Sequence, residues 1–312
     1  MAFLYALPGA IAEGLIWGLM AIGVYISYKI LDIADLTVDG SICTGACVCA
    51  VMLGAGVPVW VCIPVAFLAG ALAGMVSGLL HTVLGIPSIL AGILTQLMLY
   101  SVNLVILGGK SLMAVDHRAT KLLVHMSDNP MAIVTMVIMV TLTIIALWKF
   151  FYTEIGLTLK STGDNPDMSR AQGVDVNRNK VIGLAIANGI VAMAGAMLAQ
   201  YKGSANINDG RGAIVIALAA IFIGLSVSLR IKPNFVVSLI GVVSGGVVYY
   251  IVYNFVILLG LKTDYLKMLS AIIVAIFLAV PYLKAKYFTK PVSLQQRKAA
   301  AEGRKTGGNS RA

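Results

Sequence analysis

Apolar residues come in long uninterrupted runs along this chain, separated by short polar stretches. The runs fall at about residues 8–30, 40–57, 59–84, 86–107, 130–150, 181–201, 213–229, 234–259 and 267–285. A helix crossing the hydrocarbon core of a bilayer takes roughly 20 apolar residues. The pattern therefore predicts an all-α, polytopic membrane protein with about nine transmembrane helices (eight to ten), with room for broken or re-entrant segments. The run at 40–57 is the least regular, because Asp32, Asp35 and Asp39 crowd its start.

Two places interrupt the helical pattern. One is Ile30–Gly45, and the other is Gly203–Gly212, with the sequence GSANINDGRG. Non-helical backbone at membrane depth survives only where protein or a water-filled cavity covers it, and such breaks often line transport pathways. Ordinary surface loops would give the same pattern, and the sequence leaves both readings open.

Composition narrows the class. Of 312 residues, 59% are hydrophobic and 12% charged, with a mean hydropathy of +0.93; soluble domains carry about 25% charged residues. A secreted disulfide scaffold, a disordered chain and a soluble enzyme with an appended anchor are all excluded. The net charge of +10 comes from loops and a tail without aromatic interleaving, which argues against a nucleic-acid partner. With the 151–180 loop and the C-terminal tail placed inside, sixteen of the 23 Lys and Arg residues lie inside and seven outside. That bias predicts N-terminus out and C-terminus in. Residues 1–286 form one transmembrane domain on this reading, and 287–312 a basic, disordered cytoplasmic tail.

Catalytic signals are weak. His81, His117 and His125 share no metal-ligand spacing, and Gly109-Lys110-Ser111 lacks the upstream glycine of a P-loop, since position 104 is Leu. Cys43, Cys47, Cys49 and Cys62 read as buried free thiols. No metal or cofactor is expected in this chain, and it is not expected to be an enzyme. Only Glu13 lies clearly within a span, near its outer end, so the buried charge that drives a proton-coupled carrier is missing.

Neutral polar groups inside spans are more plentiful. Gln96 and Asn103 lie seven apart and share a helix face, while Asn188 and Asn254 sit deep in later spans. They read either as interhelical hydrogen-bonding glue or as the lining of a pathway for an uncharged or zwitterionic solute. Gly70, Gly74 and Gly78 repeat every four residues and open one helix face to close backbone approach. Whether the approaching helix belongs to the same chain is open.

The 151–180 loop is the most informative segment. Asn165 suits an N-cap, Pro166 the first helical position and Asp167 the first turn, and Gly173 supplies a stop. These signals predict a short helix from Pro166 to Gln172, suited to docking another protein.

At this loop the sequence resembles the permease subunits of bacterial ABC importers, in the branched-chain amino acid and ribose permease family. The matching stretch runs from Gly156 through Gly163-Asp164-Asn165 and Arg170-Ala171-Gln172-Gly173-Val174 to Asn177-Arg178, and continues into Ala192, Ala194, Gly195 and Ala196. Gly14 to Gly23 with Asp35-Leu36-Thr37-Val38-Asp39-Gly40 is similar to the family's first span and following break. Asp167-Met168-Ser169-Arg170 replaces the family's usual Ala-rich opening of the docking motif. A branch associated with aromatic amino acids or with unassigned substrates is the most similar.

The resemblance implies a permease subunit of an ATP-driven importer in the bacterial inner membrane, for an amino acid or related small solute. Asn165, Pro166, Asp167, Ser169, Arg170, Gln172 and Gly173 would form the coupling helix, seated in a cytoplasmic ATPase subunit that holds the ATP and Mg. A second permease chain, forming a homodimer around the pathway, and an extracytoplasmic solute-binding protein are implied as partners. The alternative is a self-sufficient secondary transporter or channel for a small polar solute.

Overall fold

The computed structural model describes residues 2–115, 122–126, 129–228 and 234–258, with scattered positions between 268 and 279. Most of the apolar run at 267–285 and all of the tail at 287–312 lie outside the described residues. So do His117 and, among the Lys and Arg residues counted for orientation, Arg118, Lys121, Arg230, Lys232, Lys262 and Lys267.

The regular structure of the described residues is helical apart from one small two-stranded sheet. Helix α1 (Ala2–Tyr25) runs on through a π-helical turn, Ile26–Ile30, and α2 spans Val38–Gly54. Then come α3 (Val59–Thr82), α4 (Ser88–Ile106), strand β1 (Leu112–Ala114) and α5 (Asn129–Phe151). Two short helices, α6 (Glu154–Asp164) and α7 (Pro166–Ala171), precede α8 (Val176–Lys202). Strand β2 (Ser204–Asn206), α9 (Ala213–Ser228) and α10 (Phe235–Leu258) complete the order. The two strands pair antiparallel, Met113 opposite Ala205.

Among the described residues, six helical segments are long and apolar enough to cross a membrane: 6–30, 59–82, 88–106, 129–151, 176–202 and 235–257. The runs expected at 40–57 and 213–229 form α2 and α9, of 17 and 16 residues. At 1.5 Å per residue these reach about 25 Å, short of a hydrocarbon core of about 30 Å. The expectation of about nine spans is not confirmed: the described residues hold six full-length candidates and two shorter apolar helices.

Helix α8 is the hub, packing against α3, α2 and α1, while α10 packs against α1 and α9. The glycine face of α3 meets α8 of the same chain. A Cβ at Gly70 would overlap the Asn188 carbonyl, and one at Gly74 the Leu184 carbonyl. One at Gly78 would lie 2.9 Å from the Val181 Cα.

The two ends of the bundle differ. Tyr201 donates to Asn129 Oδ1 at 3.3 Å and to the Gly9 carbonyl at 3.4 Å, so the starts of α1 and α5 and the end of α8 sit together beside the sheet. At the opposite end α6 packs under the π turn, where a Cβ at Gly163 would overlap the Ile30 carbonyl. Lys180 approaches His81 Nε2 there at 3.3 Å.

Candidate functional site

Of the first interruption only residues 31–37 are non-helical, since 38–45 belong to α2, and this stretch comes together with the non-helical Gly203–Gly212 segment. Residues 31–37 lead back from the α6–α7 end to the start of α2, which lies beside the middle of α8. Asp35 is 3% exposed there. Its Oδ1 accepts from the Thr37 backbone N–H at 2.9 Å and its Oδ2 from Asn188 Nδ2 at 2.6 Å. Ser41 donates to Asn188 Oδ1 at 2.6 Å, and the second Asn188 N–H reaches the Leu184 carbonyl at 3.0 Å. Every polar atom of the Asn188 side chain is therefore used. Thr37 extends the network to α3 by donating to Ser77 at 2.8 Å.

Four residues further on, Asp39 caps the start of α9. Its Oδ2 accepts from the Gly212 N–H and its Oδ1 from the Ile214 N–H, both at 2.9 Å. Asp39 also stands in the first turn of α2, so one carboxylate faces two helix N-termini. Aligned peptide dipoles make each N-terminus partly positive, and a carboxylate there is favoured. The 207–212 segment closes on α2 through Cys43 as well: Gly210 N–H donates to its sulfur at 3.1 Å, and the thiol donates to the Ile207 carbonyl at 3.3 Å.

A cavity of about 360 Å³ opens between α2, α4 and this segment. Asp39, Gly40 and Cys43 line it from α2, Gln96, Leu97, Tyr100 and Asn103 from α4, and Ile207 and Arg211 from the break before α9. Asn103 is 1% exposed and its Oδ1 has no hydrogen-bond partner. The Arg211 guanidinium carbon lies over the Tyr100 ring, 6.0 Å from its centre.

The four polar candidates of the sequence thus divide. Gln96 and Asn103 face this cavity from one helix side. Asn188 lies behind it, spent on the Asp35 and Ser41 contacts. Asn254 on α10 donates to the Tyr250 carbonyl of its own helix at 3.2 Å and is not part of the cavity. Asp39, Tyr100 and Arg211 were not singled out from the sequence as lining residues. A signal for Asp39 and Arg211 was present, since both sit in the two breaks.

At the opposite end, α7 runs Pro166–Ala171 with Gln172 as its C-cap, one residue shorter than expected. Asn165 Oδ1 accepts from Met168 N–H at 3.0 Å, and Gly173, at φ +81°, donates to the Arg170 carbonyl at 2.9 Å. Ser169 is the buried member, donating to Ser161 of α6 at 3.3 Å. Asp167, Met168, Arg170 and Gln172 are exposed, and Arg170 approaches Asp167 at 3.5 Å.

Residues 8–280 match the family described as branched-chain amino acid transport system, permease component. The chain belongs to that family. The tyrosine transport system permease protein of Clostridioides difficile (strain R20291) is 36% identical over 268 residues, covering 86% of this chain and 88% of that protein. An uncharacterized protein of Rickettsia prowazekii (strain Madrid E) is 31% identical over 272 residues, 86% of this chain and 95% of its own. The autoinducer 2 import system permease protein LsrC of Yersinia pseudotuberculosis (serotype IB, strain PB1/+) is 29% identical over 210 residues, 66% of this chain and 58% of that protein. No solved structure matches the chain. This family member is a multi-pass membrane permease component of a small-solute transport system.

Proposed function

We propose that this chain is the membrane subunit of an ATP-driven importer for an amino acid or a closely related solute. Two copies form the pathway, an extracytoplasmic protein delivers the solute, and a cytoplasmic ATPase pair drives the cycle. The observation that carries the reading is α7, a short helix capped at both ends and exposed on one end of the bundle. A helix of six residues is not stable alone. The caps and the Ser169–Ser161 contact fix its position on α6, which gives a partner a rigid surface.

The α6–α7 end faces the cytoplasm in this reading, in accord with the Lys and Arg bias of the loops. Closure of the ATPases pushes on α7, and α6 passes the movement to the π turn and to α8, against which it packs. The tyrosine permease of C. difficile favours an amino-acid cargo.

The test is recovery of the tagged chain from native membranes in mild detergent, with subunit ratios by mass spectrometry. An ATPase at about one copy per permease chain is expected. Gly173→Pro removes the N–H that closes α7 and demands a φ near −65° where the chain has +81°. It should abolish uptake while the protein remains in the membrane, as should Arg170→Glu. Recovery of the chain alone, or uptake at the unaltered rate by both variants, rejects the proposal in favour of a self-sufficient transporter.

A further inference from the structure

We propose that the cavity between α2, α4 and the break before α9 is a binding site for the charged head of an α-amino acid, with Arg211 taking the carboxylate and Asp39 and Asn103 taking the ammonium. The inference rests on the reading of the chain as a permease for such solutes and gives that reading a site.

Charge placement comes first. The cavity is lined by one cation, Arg211, and one anion, Asp39. Among the described residues, no ion pair within 4 Å joins Arg211 to a carboxylate. Opposite charges at a shared cavity that are held apart by other contacts suit a dipolar ligand that bridges them. A simple anion or cation would meet one complementary and one repelling group.

The geometry of each group agrees. Arg211 lies over the Tyr100 ring, 6.0 Å from its centre. A cation–π contact uses none of the guanidinium N–H groups in a hydrogen bond, and their fork matches a carboxylate in two parallel bonds. Each Asp39 oxygen holds one backbone N–H. A carboxylate has about four acceptor positions, so about two remain for an ammonium group. Asn103 adds a buried amide oxygen with no donor. An unpaired buried acceptor is unfavourable unless a ligand satisfies it. Gln96, half-buried and two helical turns from Asn103, faces the same space.

Size also fits. About 360 Å³ is at the lower end of small-ligand pockets, which run from roughly 300 to 1,000 Å³. That admits a single amino acid and excludes a peptide of several residues.

Equilibrium binding to the purified full-length chain in lipid nanodiscs, with whatever subunits co-purify, tests the proposal. Each of the twenty L-amino acids is the probe, followed by the decarboxylated amine and the deaminated acid of every binder. At least one amino acid should bind, and both analogues should bind roughly tenfold more weakly or worse. Arg211→Gln should weaken the amino acid by a similar factor and leave the amine analogue unaffected, Arg211→Lys should recover part of the loss, and Asn103→Leu should weaken the amino acid and spare the deaminated acid. Binding by none of the twenty, or an Arg211→Gln chain with unaltered selectivity between amino acid and amine, overturns the site. Subunit recovery in the same preparation reports on the importer reading separately. A lost arginine effect with the ATPase present rejects only the subsite.

Discussion

Asn188 donates to Asp35 across 153 positions of sequence at 2.6 Å, and this contact ties the middle of α8 to the break before α2. Both groups are buried, at 0% and 3% exposure. The hydrogen bond satisfies a carboxylate that the apolar surroundings would otherwise leave exposed to a large desolvation penalty. Asn188→Leu keeps the volume approximately and removes the donor. It should destabilise the protein by about 3 kcal/mol, at the upper end of the range for an abandoned buried partner because that partner is charged. Asp35→Asn should be milder because no charge is left buried, yet its single amide oxygen can keep only one of the two donors and its NH2 faces the other. Thermal unfolding in detergent, followed by tryptophan fluorescence, checks both. An Asn188→Leu midpoint equal to the wild type would show that the pair does not hold the break in place.

Asp39 makes a second long-range contact with a separate consequence. Its two oxygens take one N–H each at the start of α9. Asp39→Ala therefore uncaps α9, at about 0.5–2 kcal/mol. Hydrogen exchange at Gly212 and Ile214 should quicken by roughly tenfold, which is the middle of that range expressed as a ratio. Asp39→Asn supplies one acceptor for two donors, so only one of the two amides should quicken strongly. Unchanged exchange at both amides in the alanine variant would refute the cap.

These two aspartates also mark where sequence reading stopped. The long helices follow from uninterrupted apolar runs, and the breaks from Asp, Gly and Asn inside them. α7 follows from local cap chemistry, because Asn165, Pro166 and Gly173 act within a few residues of each other. Pairing of Asp39 with Gly212 depends on how α2 and α9 meet, and no local pattern carries that. α6 is not legible for a different reason. Its buried positions are Gly156, Leu159 and Thr162, and only one of those three is hydrophobic, so composition alone does not mark the face that packs. What fixes them is contact: Asn179 donates to Thr162 at 3.1 Å, and Gly156 lies against the Phe150 carbonyl. Likewise, the polar residues Gln96 and Asn188 look alike in sequence. Only the surrounding partners make one a cavity wall and the other a structural joint.

The N-cap of α7 can be tested without any partner. Asn165 Oδ1 accepts from Met168 N–H at 3.0 Å, and an Asn-to-Ala change at such a position costs about 1 kcal/mol. For a helix of one and a half turns that loss is felt along its whole length. Arg170 is exposed within α7, so fraying presents its peptide bond to trypsin. Asn165→Ala should speed cleavage after Arg170 by roughly fivefold, provided opening and closing outpace cleavage. Asn165→Asp keeps the acceptor and should cleave at nearly the original rate. The exposed Arg170–Asp167 pair is worth little by comparison, so Asp167→Asn should change cleavage only slightly. Equal rates for the alanine and aspartate variants at position 165 would remove the cap from the account of α7.

The glycine face of α3 gives a graded prediction. Gly74 packs on the Leu184 carbonyl and Gly70 on the Asn188 carbonyl, and backbone oxygens in a continuous helix cannot move aside individually. Gly78 is next, with the Val181 Cα 2.9 Å from where a Cβ would stand. Gly54, at the end of α2, has only the flexible Met113 Cε near the same position, at 2.9 Å. An added methyl group at Gly70 or Gly74 must push α3 from α8, at about 1–3 kcal/mol for an overpacked contact. At Gly54 the methionine end can swing away. There an alanine is closer to neutral, and replacing a helical glycine recovers up to about 1 kcal/mol of propensity. The expected order of thermal stability is Gly54→Ala at or above wild type, then Gly78→Ala, with Gly70→Ala and Gly74→Ala lowest. Asn188 adds a further constraint at the same contact, since its carbonyl meets Gly70 while its side chain holds Asp35. A displaced α8 therefore loosens the Asp35 network too. Gly70→Ala combined with Asn188→Leu should accordingly fall short of the sum of the two separate losses, the sign of coupling between residues that share one joint. Full additivity in that double-mutant cycle would separate the glycine contact from the polar network and leave α3–α8 packing independent of the break.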